Sequence, residues 1–151
     1  MHVVLFQPEI PPNTGNVARL CAAMQVSLHL IEPLGFKLED RYLKRAGLDY
    51  WPHVDMAVWP GLDAYIRNAG AGRRLVLTSA RRGAALHRFE FTENDSLVFG
   101  RETSGLPPEV IGLSQHHVRI PIKGEVRSIN LSTAAGIVLF QALVSAGLVG
   151  E

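Results

Sequence analysis

The chain has 151 residues and a mass of 16.5 kDa, the length of one domain, and at about this size a fold hides enough surface to need no disulfide or metal staple. A hydrophobic fraction of 47% excludes disorder, a net charge of +1 with pI ≈ 8.0 excludes a domain-wide basic footprint, and the single cysteine, Cys21, excludes an internal disulfide. Charged residues make up only 19%, below the ~25% of an ordinary soluble domain, so a subunit interface is expected to hide part of the surface.

His2-Val-Val-Leu-Phe-Gln7, bounded by Pro8, reads as a buried strand. A helix follows, with Asn13-Thr14 as its caps and Val17, Leu20, Cys21 and Met24 at helical spacing. Ser27-Leu-His-Leu-Ile-Glu32 is a second strand, and the basic piece Leu38–Ala46 a short helix ended by Gly47. Strands are then expected at Val54–Val58 and Arg74–Ser79 with a helix at Leu62–Asn68 between them, and further strands at Ser96–Gly100 and Val118–Ile122. Ser128 to Gly150 carries no charge, yet its polar and small residues read as a helix buried between sheet and partner subunit and not as a membrane span. The alternation predicts an α/β fold with a mainly parallel sheet, residues 1–151 forming one domain with no separate RNA-binding domain. No secretory leader opens the chain, which with the lone cysteine implies a cytoplasmic protein.

Open parallel sheets bind ligands at the carboxyl ends of their strands, which directs attention to three turns. Pro8-Glu-Ile-Pro-Pro-Asn-Thr-Gly-Asn-Val-Ala-Arg19 is stiffened by prolines and leads to an arginine. Val98-Phe-Gly-Arg-Glu-Thr-Ser-Gly-Leu-Pro107 sets two glycines around a charged tetrapeptide, with Glu102 placed to hold a polar group. Arg119-Ile-Pro-Ile-Lys-Gly-Glu-Val-Arg-Ser-Ile-Asn-Leu-Ser132 runs from a strand into a cluster of hydroxyls and amides, which read on their own are an elaborate helix cap. There is no G-x-G-x-x-G and no Gly-Lys-Ser/Thr loop, so dinucleotide binding and nucleotide hydrolysis lose their signatures. The six histidines, including His116-His117, show no zinc-ligand spacing, and no metal is implied.

Taken in order, these segments resemble the SPOUT superfamily of RNA methyltransferases, SpoU branch. Pro11-Pro-Asn-Thr-Gly-Asn-Val-Ala-Arg19 is similar to its first motif, Phe99-Gly-Arg-Glu-Thr-Ser-Gly-Leu-Pro107 to its second, and Ile120-Pro-Ile with Ser128-Ile-Asn-Leu-Ser132 to its third. Ile31-Glu-Pro-Leu-Gly-Phe36 and Arg45-Ala-Gly-Leu-Asp-Tyr50 extend the likeness to the small members that methylate the ribose 2′-hydroxyl of the tRNA wobble nucleotide. The resemblance implies a C-terminal deep trefoil knot, a homodimer built on the first and last helices, and leucine tRNAs as substrates through their anticodon stem-loop, whose wobble nucleotide is a cytidine or a modified uridine. It implies S-adenosylmethionine as methyl donor, leaving S-adenosylhomocysteine, held by Leu77, Thr78, Gly100, Ile120, Ile122, Ser128 and Leu131. It nominates Arg19, Glu102, Ser128 and Asn130 for catalysis.

A guanidinium with pKa above ~12 is a poor base, so Arg19 is better suited to orient the acceptor and stabilise developing alkoxide. RNA phosphates are expected to meet Lys37, Arg41, Lys44 and Arg45, then Arg81, Arg82 and Arg88, then Lys123 and Arg127, with Tyr50 and Trp51 available for stacking. Methylation of another tRNA site or of ribosomal RNA, a non-catalytic RNA-binding or assembly protein of the same fold, and a flavodoxin-like nucleotide-binding domain are the alternatives.

Overall fold

The computed structural model describes residues 1–39 and 52–150. The expected helix at Leu38–Ala46, apart from its first two residues, and Arg41, Lys44, Arg45, Tyr50 and Trp51 lie outside them. Seven strands, β1 (His2–Phe6), β2 (Ser27–Ile31), β3 (Met56–Trp59), β4 (Arg74–Thr78), β5 (Ala84–Ala85), β6 (Asp95–Phe99) and β7 (His117–Arg119), form one sheet in the order β3-β2-β1-β6-β4-β7-β5. Every neighbouring pair is parallel. Among the described residues four helices accompany it: α1 (Pro11–Met24), α2 (Leu62–Arg67), α3 (Pro108–Ile111) and α4 (Leu131–Ser145).

The sheet is covered on both faces, which explains why its central strands read as unbroken apolar runs. Val3, Leu5, Leu97 and Phe99 pack beneath α1 and α4, while the alternating Val4, Phe6 and Val98 pack beneath α2 with Leu62 and Tyr65. A bidentate pair between Arg74 and the fully buried Asp95, with Nε–Oδ1 2.7 Å and Nη2–Oδ2 2.8 Å, ties the start of β4 to β6. No helix among the described residues is long and apolar enough to cross a membrane.

The boundaries differ from expectation for identifiable reasons. The first helix begins at Pro11, not at Asn13-Thr14: two prolines occupy its first turn, where their missing N–H groups cost nothing, and Ile10 is the cap without a side-chain bond. Asn13 and Thr14 are therefore buried inside α1. The last strand stops at Arg119 and not at Ile122, since Pro121 has no N–H to extend the ladder. The third strand is displaced to Met56–Trp59. Three short elements carry too little pattern to be read from sequence: β5, α3 and a 3-10 turn at Leu86–Arg88.

Beneath α2 lies a buried polar nest. Trp59 Nε1 donates to His29 Nδ1 at 3.0 Å, the His2 and His29 rings are 4.5 Å apart, and Tyr65 Oη joins His2 Nδ1 at 2.9 Å to Ser96 Oγ at 2.7 Å. With Nδ1 accepting, neutral His29 carries its proton on Nε2, an atom buried without a partner. Burial, followed for His2 by the charge of neighbouring His29, pulls both imidazoles down to about 4. Both bind protons more readily in the unfolded chain, whose value is 6.5, so their contribution to stability is complete above that pH and is lost as pH falls toward 4. The melting temperature is expected to drop steadily between pH 6.5 and 4.5 in a calorimetric series; a flat profile across that window contradicts the neutral pair.

Candidate functional site

The carboxyl ends of β4, β6 and β7 open into a cavity of ≈ 840 Å³, within the ~300–1,000 Å³ of small-molecule sites. Three chain segments wall it: residues 78–82 after β4, 99–106 after β6, and the stretch between β7 and α4. Ile10 and Asn13 enter from the start of α1. These are the strand ends at which a doubly covered parallel sheet leaves backbone groups free for a ligand.

The loop after β6 is closed on itself. Arg101 and Gly105 pair by backbone bonds of 3.3 Å and 2.9 Å, and Gly105 adopts φ +69°, a conformation that glycine takes without cost. Gly100 allows the loop to fold back, because a Cβ there would lie 2.4 Å from Gly105 C and Leu106 N. Glu102 reaches across to the β1–α1 turn, its Oε2 accepting from Glu9 N at 2.8 Å and its Oε1 from Ile10 N at 3.3 Å. On the other side Asn130 caps α4, its Oδ1 accepting from Ser132 N at 2.9 Å and Thr133 N at 3.3 Å, while its Nδ2 donates to Asn13 Oδ1 at 2.9 Å.

Of the residues the sequence assigns to the cofactor, Thr78, Gly100, Ile120, Ile122, Ser128 and Leu131 line the cavity. Leu77 does not: strand alternation turns its fully buried side chain to the face beneath α2. Glu102, Ser128 and Asn130 also line it, and Ser128 is solvent-exposed. Arg19 lies on the exposed side of α1, outside the cavity wall of this single chain. Sequence reasoning did not reach Ile111, Ala134 and Val138, apolar lining from α3 and α4 whose inward direction depends on tertiary packing.

A second hollow of ≈ 440 Å³ shares Ala80, Arg81, Ile120, Ile122 and Arg127 with the first and adds Arg119. Among the described residues, Arg67 and Arg74 are paired with carboxylates at 3.1 Å and 2.7 Å, whereas Arg81, Arg119 and Arg127 have no ion-pair partner. Three guanidiniums, from the segment after β4, from β7 and from the stretch before α4, thus line this hollow beside the main cavity together with one carboxylate, Glu125. No cluster of three potential metal ligands occurs among the described residues.

Residues 1–140 match the SpoU rRNA Methylase family. The chain is 47% identical over 142 residues to the tRNA (cytidine(34)-2'-O)-methyltransferase of Methylovorus glucosotrophus strain SIP3-4, covering 93% of this chain and 92% of that protein. A solved structure giving insight into the 2-OH methylation of C/U34 on tRNA superposes with a TM-score of 0.91 at 48% identity, over 95% of this chain and 94% of the other. The SpoU methyltransferase AviRb from Streptomyces viridochromogenes, in complex with the cofactor AdoMet, gives a TM-score of 0.81 at 25% identity, over 95% of this chain and 59% of that one.

The cavity fits such a cofactor: Phe99, Val118, Leu131 and Val138 give it apolar lining, Thr78, Ser79 and Ser128 give it hydroxyls, and Gly100 lets the loop after β6 fold back without a Cβ striking its own backbone. Gly100→Ala is expected to weaken S-adenosylmethionine binding at least about tenfold, roughly 1.4 kcal/mol, because the Gly105–Leu106 backbone of the cavity wall must move to admit the new methyl. Calorimetric titration with the donor checks this, and an unchanged dissociation constant contradicts the close approach.

Proposed function

The chain belongs to the SpoU rRNA Methylase family, and from that premise we propose that it transfers a methyl group from S-adenosylmethionine to the ribose 2′-hydroxyl of the wobble nucleotide of tRNA. The observation that carries this reading is a single cavity of donor size, built from three strand-end segments, in a chain similar over nearly its whole length to enzymes of that named activity. Leucine tRNAs, read through the anticodon stem-loop, are the substrates in this proposal, and the cytoplasm is where they are met.

Thr78, Gly100, Ile120, Ile122, Ser128 and Leu131 would hold the donor, which when bound supplies a sulfonium-activated methyl group. What remains for the protein is to align the acceptor oxygen and manage one proton. Ser128 Oγ, exposed at the cavity wall, is free to hydrogen-bond the ribose. Asn130 is already engaged by the first turn of α4 and by Asn13, so it fixes the junction of α1 and α4 beneath that hydroxyl. Glu102 holds the turn that begins α1. The guanidinium of Arg19 serves as an orienting cation and not as a base. Arg81, Arg119 and Arg127 offer the adjoining RNA phosphates a salt-sensitive seat that carries no sequence information.

The working unit in this proposal is a homodimer. Ile137, Phe140, Val144 and Leu148 recur on one face of α4 and its extension with 42–50% of their surface exposed, and Met24 at the end of α1 is also exposed. A second copy covering that stripe accounts for the low charge of the chain and brings α1, with Arg19, against a partner. The trefoil knot of the superfamily belongs to the same proposal, supported by the joint lining of one cavity by segments 78–82, 99–106 and 120–131.

Labelled methyl transfer to tRNA from cells lacking the protein, mapped by mass spectrometry, is expected to place a 2′-O-methyl group at position 34 of leucine tRNAs; label found only elsewhere, or in ribosomal RNA, overturns the substrate. Arg19→Ala is expected to lower kcat by about 10²–10³, the loss typical of removing one charge-stabilising donor, with donor affinity changed less than about threefold. Equal losses in both contradict the orienting role. Phe140→Glu is expected to convert the dimer to monomers in sedimentation equilibrium and to abolish transfer, and a stable wild-type monomer at micromolar concentration overturns the dimer.

A further inference from the structure

We propose that Glu9 is a positioning residue of the methyl-transfer site: its carboxylate, bound to the main chain and hydroxyl of Thr103, locks the loop after β6 to the turn that begins α1. The inference rests on the reading of that cavity as the methyl-transfer site. The lock is reciprocal. Glu9 Oε1 accepts from Thr103 N at 3.1 Å and from Thr103 Oγ1 at 2.8 Å, while Glu102 on the same loop accepts from the backbone N–H groups of Glu9 and Ile10. A third tie lies beside them, where Gln7 Oε1 accepts from Arg101 Nε at 2.7 Å and from Arg101 Nη2. Three consecutive residues of one loop are thereby fastened to a four-residue stretch some 90 positions away in sequence.

The turn needs this external hold. Gln7 sits at φ +49°, a left-handed conformation unusual for a residue with a side chain, and α1 starts at Ile10 without a capping side chain. Gly35 N donates to Pro8 O at 2.9 Å, and a Cβ on Gly35 would lie 2.8 Å from Glu9 Cα, so the turn is also held closely by the segment after β2. The Glu102 carboxylate, bound to the N–H groups of Glu9 and Ile10, lies at the amino end of α1, where the helix dipole favours negative charge. Two hydrogen bonds from Thr103 hold the Glu9 carboxyl below its ordinary range, so it remains an acceptor throughout neutral pH.

The consequence is geometric. Arg101 to Gly105 wall the cavity on one side, and Ile10 and Asn13 enter it from the other. Glu9 is not in the wall, so it acts through the residues it holds. Where α1 begins decides where Asn13 meets Asn130, and where Arg19, two turns further along, stands. A displacement of ~1 Å in such a frame costs up to ~10² in rate.

The test uses Glu9→Ala and Glu9→Gln in the full chain. The amide oxygen of glutamine still accepts both Thr103 hydrogens, so E9Q is expected to keep kcat within about threefold of wild type, while E9A loses about tenfold or more with the melting temperature nearly unchanged. Wild-type kcat in E9A, or an E9Q defect as deep as that of E9A, overturns the proposal. Hydrogen exchange without RNA gives a second readout: faster exchange at residues 9–14 and 101–105 in E9A but not in E9Q is expected, and unchanged exchange in E9A overturns it. A wild-type protein inactive on tRNA counts against the methyl-transfer reading alone, and the exchange measurement then decides the lock.

Discussion

A parallel sheet buried on both faces is the constraint on which the rest of the structure depends. Because α1 and α4 seal one face and α2 the other, a polar side chain on a strand must be satisfied inside the fold, as Asp95 and Ser96 are, and groups free for a ligand lie at the strand ends. β1 and β6 are neighbours at the centre, and the chain reaches β4 only after building β2 and β3 on the far side. The crevice at that reversal is where loops from both halves can meet a ligand. The cavity beside β4, β6 and β7 follows from topology before any side chain is chosen.

Topology places the loops near one another but does not fix their register, and that task falls to hydrogen bonds between distant segments. Asn130 joins α4 to α1 through Asn13 while capping its own helix, one side chain satisfying three donors and one acceptor. The ties between residues 7–10 and 101–103 do the same for the opposite wall. Each group satisfies backbone amides that would otherwise be orphaned at a helix start or a tight turn, so the same bonds serve folding and site geometry. The polar nest of His2, His29, Tyr65 and Ser96, by contrast, lies beneath α2 on the opposite face and touches no cavity wall. Its effect is on stability, through two imidazoles held neutral, and it imposes its own acid limit on the fold.

The strands were legible because a doubly covered strand is a continuous apolar run, and six of seven were found within a few residues of their ends. β5 was not, since Ala84-Ala85 has neither length nor pattern and exists only because β7 offers it an edge. Gly100 and Gly105 were legible as loop glycines flanking a charged tetrapeptide, and the structure supplies the backbone that Gly100 approaches. The caps of α1 lie elsewhere than its pattern suggests: Asn13 and Thr14 near a helix start suggest capping, but two prolines moved the start three residues earlier and released Asn13 to bind Asn130. Leu77 shows a different limit: its side chain packs on the face beneath α2, and its assignment to the donor rests on backbone groups at the strand end, which a residue pattern does not display. Arg19 shows a third, since it stands on the exposed face of α1, outside the cavity wall formed by one chain.

The distribution of charge and apolar surface joins these observations. Where a guanidinium serves structure it is paired or bonded, as Arg67 is to Asp63, Arg74 to Asp95 and Arg101 to Gln7. Arg81, Arg119 and Arg127 are not, and they gather at the cavity mouth, where unpaired cations cost little in water and gain when phosphates arrive. The apolar stripe on α4 is the complementary case: exposed surface that gains nothing in solution and much against a second copy of itself. A near-neutral chain can therefore be locally cationic where the proposal seats the acceptor and locally apolar where it seats a second copy. That is how a net charge of +1 and a charged fraction of only 19% remain compatible with an RNA substrate.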